Sequence, residues 1–206
     1  IANPNAPTGL ALSYADVEKI VSSNPDNLVI MDEAYMAFCG DSCMELVKKY
    51  PNLLVTRTFS KSHSLAGLRV GFGIAQKEII EDLNKLKFSF NPYNLNTLSI
   101  KAAAAAIADN EYYDDKIAKI VETRNKTQKK LEELGFKCTN SKSNFIFAAT
   151  DKMPAAKIYE ELRKRNILIR YFNKAKIDNY LRITVGSDED MQTLVDSIKE
   201  ILEAQI

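Results

Sequence analysis

Leu53-Leu54-Val55-Thr56-Arg57-Thr58-Phe59-Ser60-Lys61-Ser62-His63-Ser64-Leu65-Ala66-Gly67-Leu68-Arg69-Val70-Gly71-Phe72-Gly73-Ile74-Ala75 is the stretch around which the chain organises. It reads as two apolar strands, Leu53 to Val55 and Val70 to Ala75, joined by a hydroxyl-rich segment that carries Lys61 and, eight residues on, Arg69. Upstream, the run Leu28 to Met31 lacks polar alternation, as expected of a strand covered on both faces. Ser13-Tyr14-Ala15-Asp16 has the form of a capping box opening a helix that buries Val17, Ile20 and Val21. Downstream, Lys77 to Leu86 has the spacing of an amphipathic helix. Strand patterns alternating with helix patterns predict an α/β fold, a mostly parallel sheet with flanking helices.

Asn91-Pro92-Tyr93-Asn94 interrupts this alternation, and the Ala102 to Ala106 run in the following helix predicts close packing against another element. A long helix from about Glu111 to Leu134, ended by Gly135, leads into a second pattern. That pattern is strand Asn144 to Ala149, helix Pro154 to Asn166, strands Ile167 to Tyr171 and Tyr180 to Val185, and a final helix capped by Ser187. The expected organisation is part of a larger α/β domain over residues 1–110, then the long linking helix and a small α+β domain over residues 111–206.

With 206 residues, 46% hydrophobic and 27% charged, the chain can bury a sizeable core. A net charge of +1 gives no global reason to expect a nucleic-acid or membrane partner. No apolar stretch is long enough to cross a bilayer and the first residues lack a signal-peptide layout, so a cytoplasmic location is expected. Cys39, Cys43 and Cys138 lack metal-ligand spacing and read as reduced thiols, and no metal site is expected.

Lys61 alone means little in a lysine-rich chain, but its neighbours form a chemical set. Asp32 follows the strand Leu28 to Met31 and so emerges at a strand's C-terminal end, where open α/β sheets bind ligands. Tyr35 stands three residues on, Thr58 and Ser60 offer hydroxyls and amides, and Arg69 offers a fork suited to phosphate oxygens. A Lys amine, a carboxylate, a phenol and a phosphate cradle are what covalently held pyridoxal 5'-phosphate requires: a Schiff base to its aldehyde, a partner for its pyridine nitrogen and donors for its phosphate. Singly, each residue has a plainer reading: Asp32-Glu33 as a helix cap, Tyr35 as core, Ser60 as turn chemistry. His63, the only His, reads as a loop residue. Gly67 to Gly71 lacks the three-glycine spacing of a dinucleotide fold.

Asn3-Pro4-Asn5-Ala6-Pro7-Thr8-Gly9, Asp32-Glu33-Ala34-Tyr35, the Lys61 to Gly71 segment, Pro92-Tyr93-Asn94, Ser143-Asn144-Phe145 and Leu181-Arg182-Ile183-Thr184-Val185-Gly186 together resemble the fold type I pyridoxal-phosphate aminotransferases of class I/II. Within them the chain is most similar to the histidinol-phosphate aminotransferases, and it resembles only their C-terminal part. The resemblance implies Lys61 as Schiff-base lysine and proton shuttle, Asp32 on the pyridine nitrogen, Tyr35 on the ring oxygen, and Thr58, Ser60 and Arg69 on the cofactor phosphate. It implies Arg182 on the substrate's anionic group, with Arg170 joining it on a substrate phosphate. In the family an Asn directly precedes the Pro of the Asn-Pro-Thr-Gly element; Ala6 stands here, and Asn5 is the alternative donor to the ring oxygen.

The implied reaction moves an amino group between L-histidinol phosphate and 2-oxoglutarate in histidine biosynthesis, in a homodimer when complete. A broad-specificity aromatic aminotransferase and a threonine-phosphate decarboxylase-like enzyme are the alternatives. The chain opens on Ile1-Ala2-Asn3-Pro4, and family members carry before this point their first strands, a Gly-rich phosphate loop and an aromatic residue stacked on the cofactor. The 206 residues alone are therefore expected to be inactive, a truncated piece that folds without catalysing.

Overall fold

Ser13 opens the first helix, α1 (Tyr14–Ser22): its Oγ accepts from the Asp16 N–H at 3.2 Å while Asp16 Oδ2 accepts from the Ser13 N–H at 3.3 Å. This reciprocal cap satisfies donors that a helix start leaves unpaired, and the helix then buries Val17 and Val21, with Ile20 half-buried. The structure, a computed structural model, describes residues 1–204. They form two units, the first comprising Ile1–Asn5 and Ala11–Ile117, the second Ala6–Leu10 and the chain from Ala118 onward.

The first unit holds a three-stranded sheet in the order β1 (Val29–Asp32), β2 (Leu53–Thr58), β3 (Gly71–Ile74). β1 and β2 are parallel, with Asp32 opposite Thr56; β3 returns antiparallel, with Gly71 opposite Thr58. The sheet is thus mixed. The connection through Lys61 contains only a short 3-10 turn, Ala66–Leu68, and without a crossover element the chain must reverse. Residues 1–3 run beside β1, the Asn3 N–H donating to Asp32 O at 2.9 Å and the Asp32 N–H to Ile1 O at 2.8 Å.

Val17 and Val21 pack with Val29, Met31, Leu46, Val47, Leu53 and Val55. Burial along β1 alternates, because this cluster fills only the face carrying Val29 and Met31; Ile30, on the other, is 43% exposed despite the unbroken apolar run. Three helices follow: α2 (Lys77–Phe90), α3 (Thr97–Ala108) and α4 (Asn110–Glu133). The alanine run behaves as its composition predicts. Ala103 and Ala106 of α3 pack against Phe59 and Val70, which flank the Lys61 segment, and Ser99 Oγ donates to Leu68 O at 3.1 Å.

In the second unit α4 stops at Gly135 (φ +93°), where the Phe136 N–H donates to Leu131 O at 3.0 Å and the Gly135 N–H to Glu132 O at 2.9 Å. Those two bonds are the Schellman closure that a left-handed glycine allows. An antiparallel sheet follows in the order β4 (Lys137–Cys138), β5 (Phe145–Ala149), β7 (Tyr180–Thr184), β6 (Arg170–Tyr171). The strand expected from Ile167 pairs only at Arg170 and Tyr171, and β4 has no clear signature in the sequence. α5 (Ala155–Lys164) and α6 (Asp188–Glu203) bury Ile158, Leu162, Leu194 and Ile198 with Leu131, Ile146, Leu181 and Ile183. Ser187 and Asp190 close a second capping box.

Ile198 is fully buried, so Ile198→Val, removing one methylene, is expected to lower unfolding stability by about 0.5–1.5 kcal/mol. Urea unfolding of wild type and variant checks this, through a shifted midpoint at unchanged slope. All three cysteines are free thiols. Burial pushes Cys43 up to about 12, with the neighbouring Glu33 adding to the shift, and Cys138 up to about 12. Among the described residues no His, Cys, Asp or Glu group is placed to hold a metal ion, and no helix is long and apolar enough to cross a membrane.

Candidate active site

The chemistry-bearing residues of the first unit gather at the C-terminal ends of the parallel pair β1 and β2. Asp32 is the last residue of β1 and Thr58 the last of β2. Asp32 is exposed, and its Oδ1 accepts from the Ala34 N–H at 3.0 Å, which fixes the carboxylate at the strand end. Tyr35, half-buried, starts the 3-10 turn Met36–Phe38. The exposed Lys61 side chain reaches toward it, Nζ lying 5.5 Å from the centre of the Tyr35 ring. Asp32 and Lys61, 29 positions apart, thus border the same phenol-bearing turn.

Thr58 and Ser60 form one hydroxyl cluster. The Ser60 N–H donates to Thr58 Oγ1 at 3.1 Å, and the two hydroxyl oxygens stand 2.9 Å apart. Arg69 has a left-handed backbone (φ +55°), rarely adopted without a Gly. That turn aims its guanidinium back at the cluster, Nη1 3.5 Å from Ser60 Oγ and 3.0 Å from Ala66 O. Two hydroxyls, an amide and an exposed guanidinium at one turn suit the chemistry of a phosphate dianion. The segment is held from beneath by Phe59 and Val70, buried against α3. Asn5 is half-buried in the first unit; Ala6 begins the stretch that clusters with the second.

His63 is not a bare loop residue. Its ring is half-buried, 5.1 Å from Phe59 and 4.8 Å from Tyr113 between ring centres, with Nδ1 2.9 Å from Ser62 Oγ. Burial holds its pKa below the usual imidazole range, with Asp114 opposing and Arg57 adding to the shift. The imidazole serves as a packing element behind Lys61.

The second unit brings together the other two predicted residues. Arg170 on edge strand β6 is directly opposite Arg182 on β7, so both side chains share one face. Both guanidinium groups lie over the Phe172 ring, at 5.3 Å and 5.8 Å, and Arg182 also lies 5.2 Å from the Phe145 ring centre. Arg182 Nε is buried with no hydrogen-bond partner. Two like charges opposite each other are unfavourable, and a buried unpaired donor costs more. An anion on this face would offset the first of these costs. At the turn Thr8–Gly9 the same unit closes tightly: the Lys142 N–H donates to Gly9 O at 2.7 Å. A Cβ on Gly9 (φ +72°) would stand 2.1 Å from Ser141 Oγ, so only glycine fits.

Sequence reasoning overlooked one ionic feature. Glu33 is fully buried and paired with Arg57, which stands between Thr56 and Thr58 at the polar end of β2 and so carries no local mark of its partner.

The family model described as aminotransferase class I and II matches residues 1–198. The chain is 50% identical over 204 residues to a histidinol-phosphate aminotransferase of Brachyspira hyodysenteriae, covering 98% of this chain and 58% of that protein. It is likewise 50% identical to one of Clostridium botulinum, covering 98% and 57%. It therefore spans just under three fifths of the curated relatives it matches. Among solved structures, the histidinol-phosphate aminotransferase from Clostridium acetobutylicum superposes with a TM-score of 0.91 at 25% identity, covering 99% of this chain and 63% of that one. The Sinorhizobium meliloti enzyme, solved in complex with pyridoxal-5'-phosphate, superposes with a TM-score of 0.89 at 25% identity, covering 100% and 57%. The match of the family model over residues 1–198, with relatives at 50% identity, shows that the chain belongs to the class I and II aminotransferase family.

Proposed function

We propose that this chain carries the chemical centre of a pyridoxal 5'-phosphate-dependent aminotransferase that uses L-histidinol phosphate as donor and 2-oxoglutarate as acceptor, in histidine biosynthesis. The observation that carries the reading is the convergence of Asp32, Tyr35, Lys61 and the Thr58–Ser60–Arg69 cluster at neighbouring strand ends, each group of the right chemical type. The histidinol-phosphate relatives at 50% identity support the choice of donor.

Bound, the cofactor supplies an electron sink for the negative charge left when a substrate loses its α-proton. Lys61 Nζ is the group that would hold the cofactor aldehyde covalently and, as a free amine, would hold or move the proton at the substrate's α-carbon. The Asp32 carboxylate holds the ring nitrogen in its protonated form, since a nearby negative charge favours the cation. Tyr35 Oη donates to the ring oxygen, with Asn5 as the second candidate donor. Thr58, Ser60 and Arg69 bind the phosphate.

Arg182 takes an anionic group of the substrate through its guanidinium, and Arg170, directly opposite on the same face, adds a second fork. Two guanidinium groups on one face favour a donor with a phosphate besides its amine. Arg170→Met in the full-length protein is accordingly expected to lower kcat/KM for L-histidinol phosphate by about 10–100-fold, the value of a charged hydrogen bond or two, while leaving unphosphorylated histidinol nearly unaffected. Steady-state kinetics with both amines checks the split.

We further propose a cytoplasmic homodimer for the complete protein, with small-molecule donor and acceptor and no nucleic-acid or membrane partner. Amine-donor profiling of the full-length protein tests the function: a strong preference for L-histidinol phosphate over aromatic and aliphatic amino donors is expected, and the absence of any preference for a phosphorylated donor contradicts it.

A further inference from the structure

Among the ion pairs described in the first unit, Glu33–Arg57 differs from the exposed ones in being largely buried. The Glu33 side chain is 0% exposed and that of Arg57 23% exposed. Glu33 Oε2 accepts from Arg57 Nε at 3.0 Å, Arg57 Nη2 at 2.8 Å and Ser42 Oγ at 2.7 Å, and Oε1 accepts from the Cys43 N–H at 2.8 Å. Four charge-assisted bonds leave this carboxylate almost no freedom. The Glu33 backbone N–H meanwhile donates to Thr56 O at 2.9 Å, extending the β1–β2 ladder by one residue.

Both members are sequence neighbours of chemical groups: Glu33 follows Asp32, and Arg57 precedes Thr58. Successive side chains of a strand point to opposite faces, so Arg57 and Thr58 leave β2 on opposite sides. The ion pair and the hydroxyl cluster therefore act from opposite sides of the same backbone. On β3, the strand beyond, Gly71 pairs with Thr58, and a Cβ there would stand 2.7 Å from Arg57 O, so only glycine lets the two strands approach this closely beside the pair. A small cavity of about 80 Å³ beside the pair is lined by Glu33, Arg57, Thr58, Phe59, Ser62 and His63 among others, joining the pair to the underside of the Lys61 segment.

We propose that Glu33 and Arg57 are positioning residues, an ionic clamp that fixes the ends of β1 and β2 in one register and so sets Asp32 and the Thr58–Ser60–Lys61 turn relative to one another; this rests on the cofactor reading above. The clamp is directional where ordinary burial is not. An apolar pair of similar size restores packing and removes the cost of burying charge, but it supplies neither the two guanidinium bonds to Glu33 Oε2 nor the acceptor for Cys43 and Ser42.

The test uses the full-length protein, with Glu33→Gln, Arg57→Met and the double variant Glu33→Met/Arg57→Met. Two quantities are read: the dissociation constant for pyridoxal 5'-phosphate, by fluorescence titration of cofactor-free protein, and the thermal midpoint of that cofactor-free protein. The single variants are expected to weaken cofactor binding by about 10–100-fold, the usual effect of losing a group that orients a ligand. They also lower the thermal midpoint. The double variant is expected to recover the midpoint and yet keep binding at least about tenfold weaker, because stability returns with apolar packing and orientation does not. A double variant that binds cofactor within about twofold of wild type, at whatever midpoint, makes the pair merely structural and overturns the proposal. Wild-type protein that fails to bind the cofactor instead overturns the cofactor reading, and the proposal with it.

Discussion

Lys61→Ala in the full-length protein is expected to lower kcat by about 10⁴–10⁶-fold, because in the proposed mechanism one residue supplies both the covalent attachment and the proton carrier. The magnitude follows from the chemistry lost. Proton transfer by a positioned side chain contributes about 10²–10⁴-fold, and a nucleophile acting in the same unit adds further loss when both functions disappear together. Stability is expected to change by under about 0.5 kcal/mol, since Lys61 is exposed and its contact with the Tyr35 ring is 5.5 Å long. The loss is thus chemical, and stopped-flow or end-point assays combined with thermal unfolding separate the two effects. The proposed phosphate site is expected to survive in this variant, because the segment carrying Thr58, Ser60 and Arg69 is packed through Phe59 and Val70 against α3, independently of the amine.

Asp32→Asn is the second large effect. The amide keeps the shape of the carboxylate, and its oxygen still accepts from the Ala34 N–H, now 3.0 Å from Asp32 Oδ1, so the end of β1 stays folded. What disappears is the negative charge that favours a protonated ring nitrogen, and with it much of the capacity to absorb charge from the α-carbon. A fall in kcat of about 10²–10⁴-fold is expected, with a stability change under about 0.5 kcal/mol at this exposed site. Kinetics with the natural donor at saturation measures it. Restoration of activity by a cofactor analogue whose ring carries a permanent positive charge at that nitrogen would tie the defect to Asp32's charge and not to its packing.

Which features were legible beforehand follows from how local their causes are. The capping box of Ser13 with Asp16 and the Ser187 cap depend on groups three residues apart, and both caps were read directly; the reciprocal bond from Asp190 emerged only in the structure. Gly135 and the Ala102–Ala106 run were equally local, one through its φ and the other through the small radius it offers Phe59 and Val70. The antiparallel direction of β3 follows from a twelve-residue connection that holds no crossover helix, which the hydroxyl-rich run alone did not announce. The exposure of Ile30 depended on what packs over β1, which its own apolar run does not report. β6 shortened to Arg170 and Tyr171 because only those residues meet β7.

For the site, Asp32, Tyr35, Thr58, Ser60, Lys61 and Arg69 could be named from residue type and order, yet their association rests on parallel pairing across more than twenty residues. The Arg170–Arg182 juxtaposition and the unpartnered Arg182 Nε are properties of an antiparallel register that no short motif encodes. The Glu33–Arg57 clamp was missed for the same reason: 24 positions separate the partners, and each alone resembles a surface charge.

The central claim is that Lys61, alone among the lysines, bonds the cofactor. Full-length protein incubated with pyridoxal 5'-phosphate, reduced with borohydride, digested and mapped by mass spectrometry tests it most directly. The expected result is a single stoichiometric pyridoxyl adduct on the peptide bearing Lys61, absent from Lys61→Ala. An adduct on another lysine, or adducts spread over many at low yield, would contradict the account.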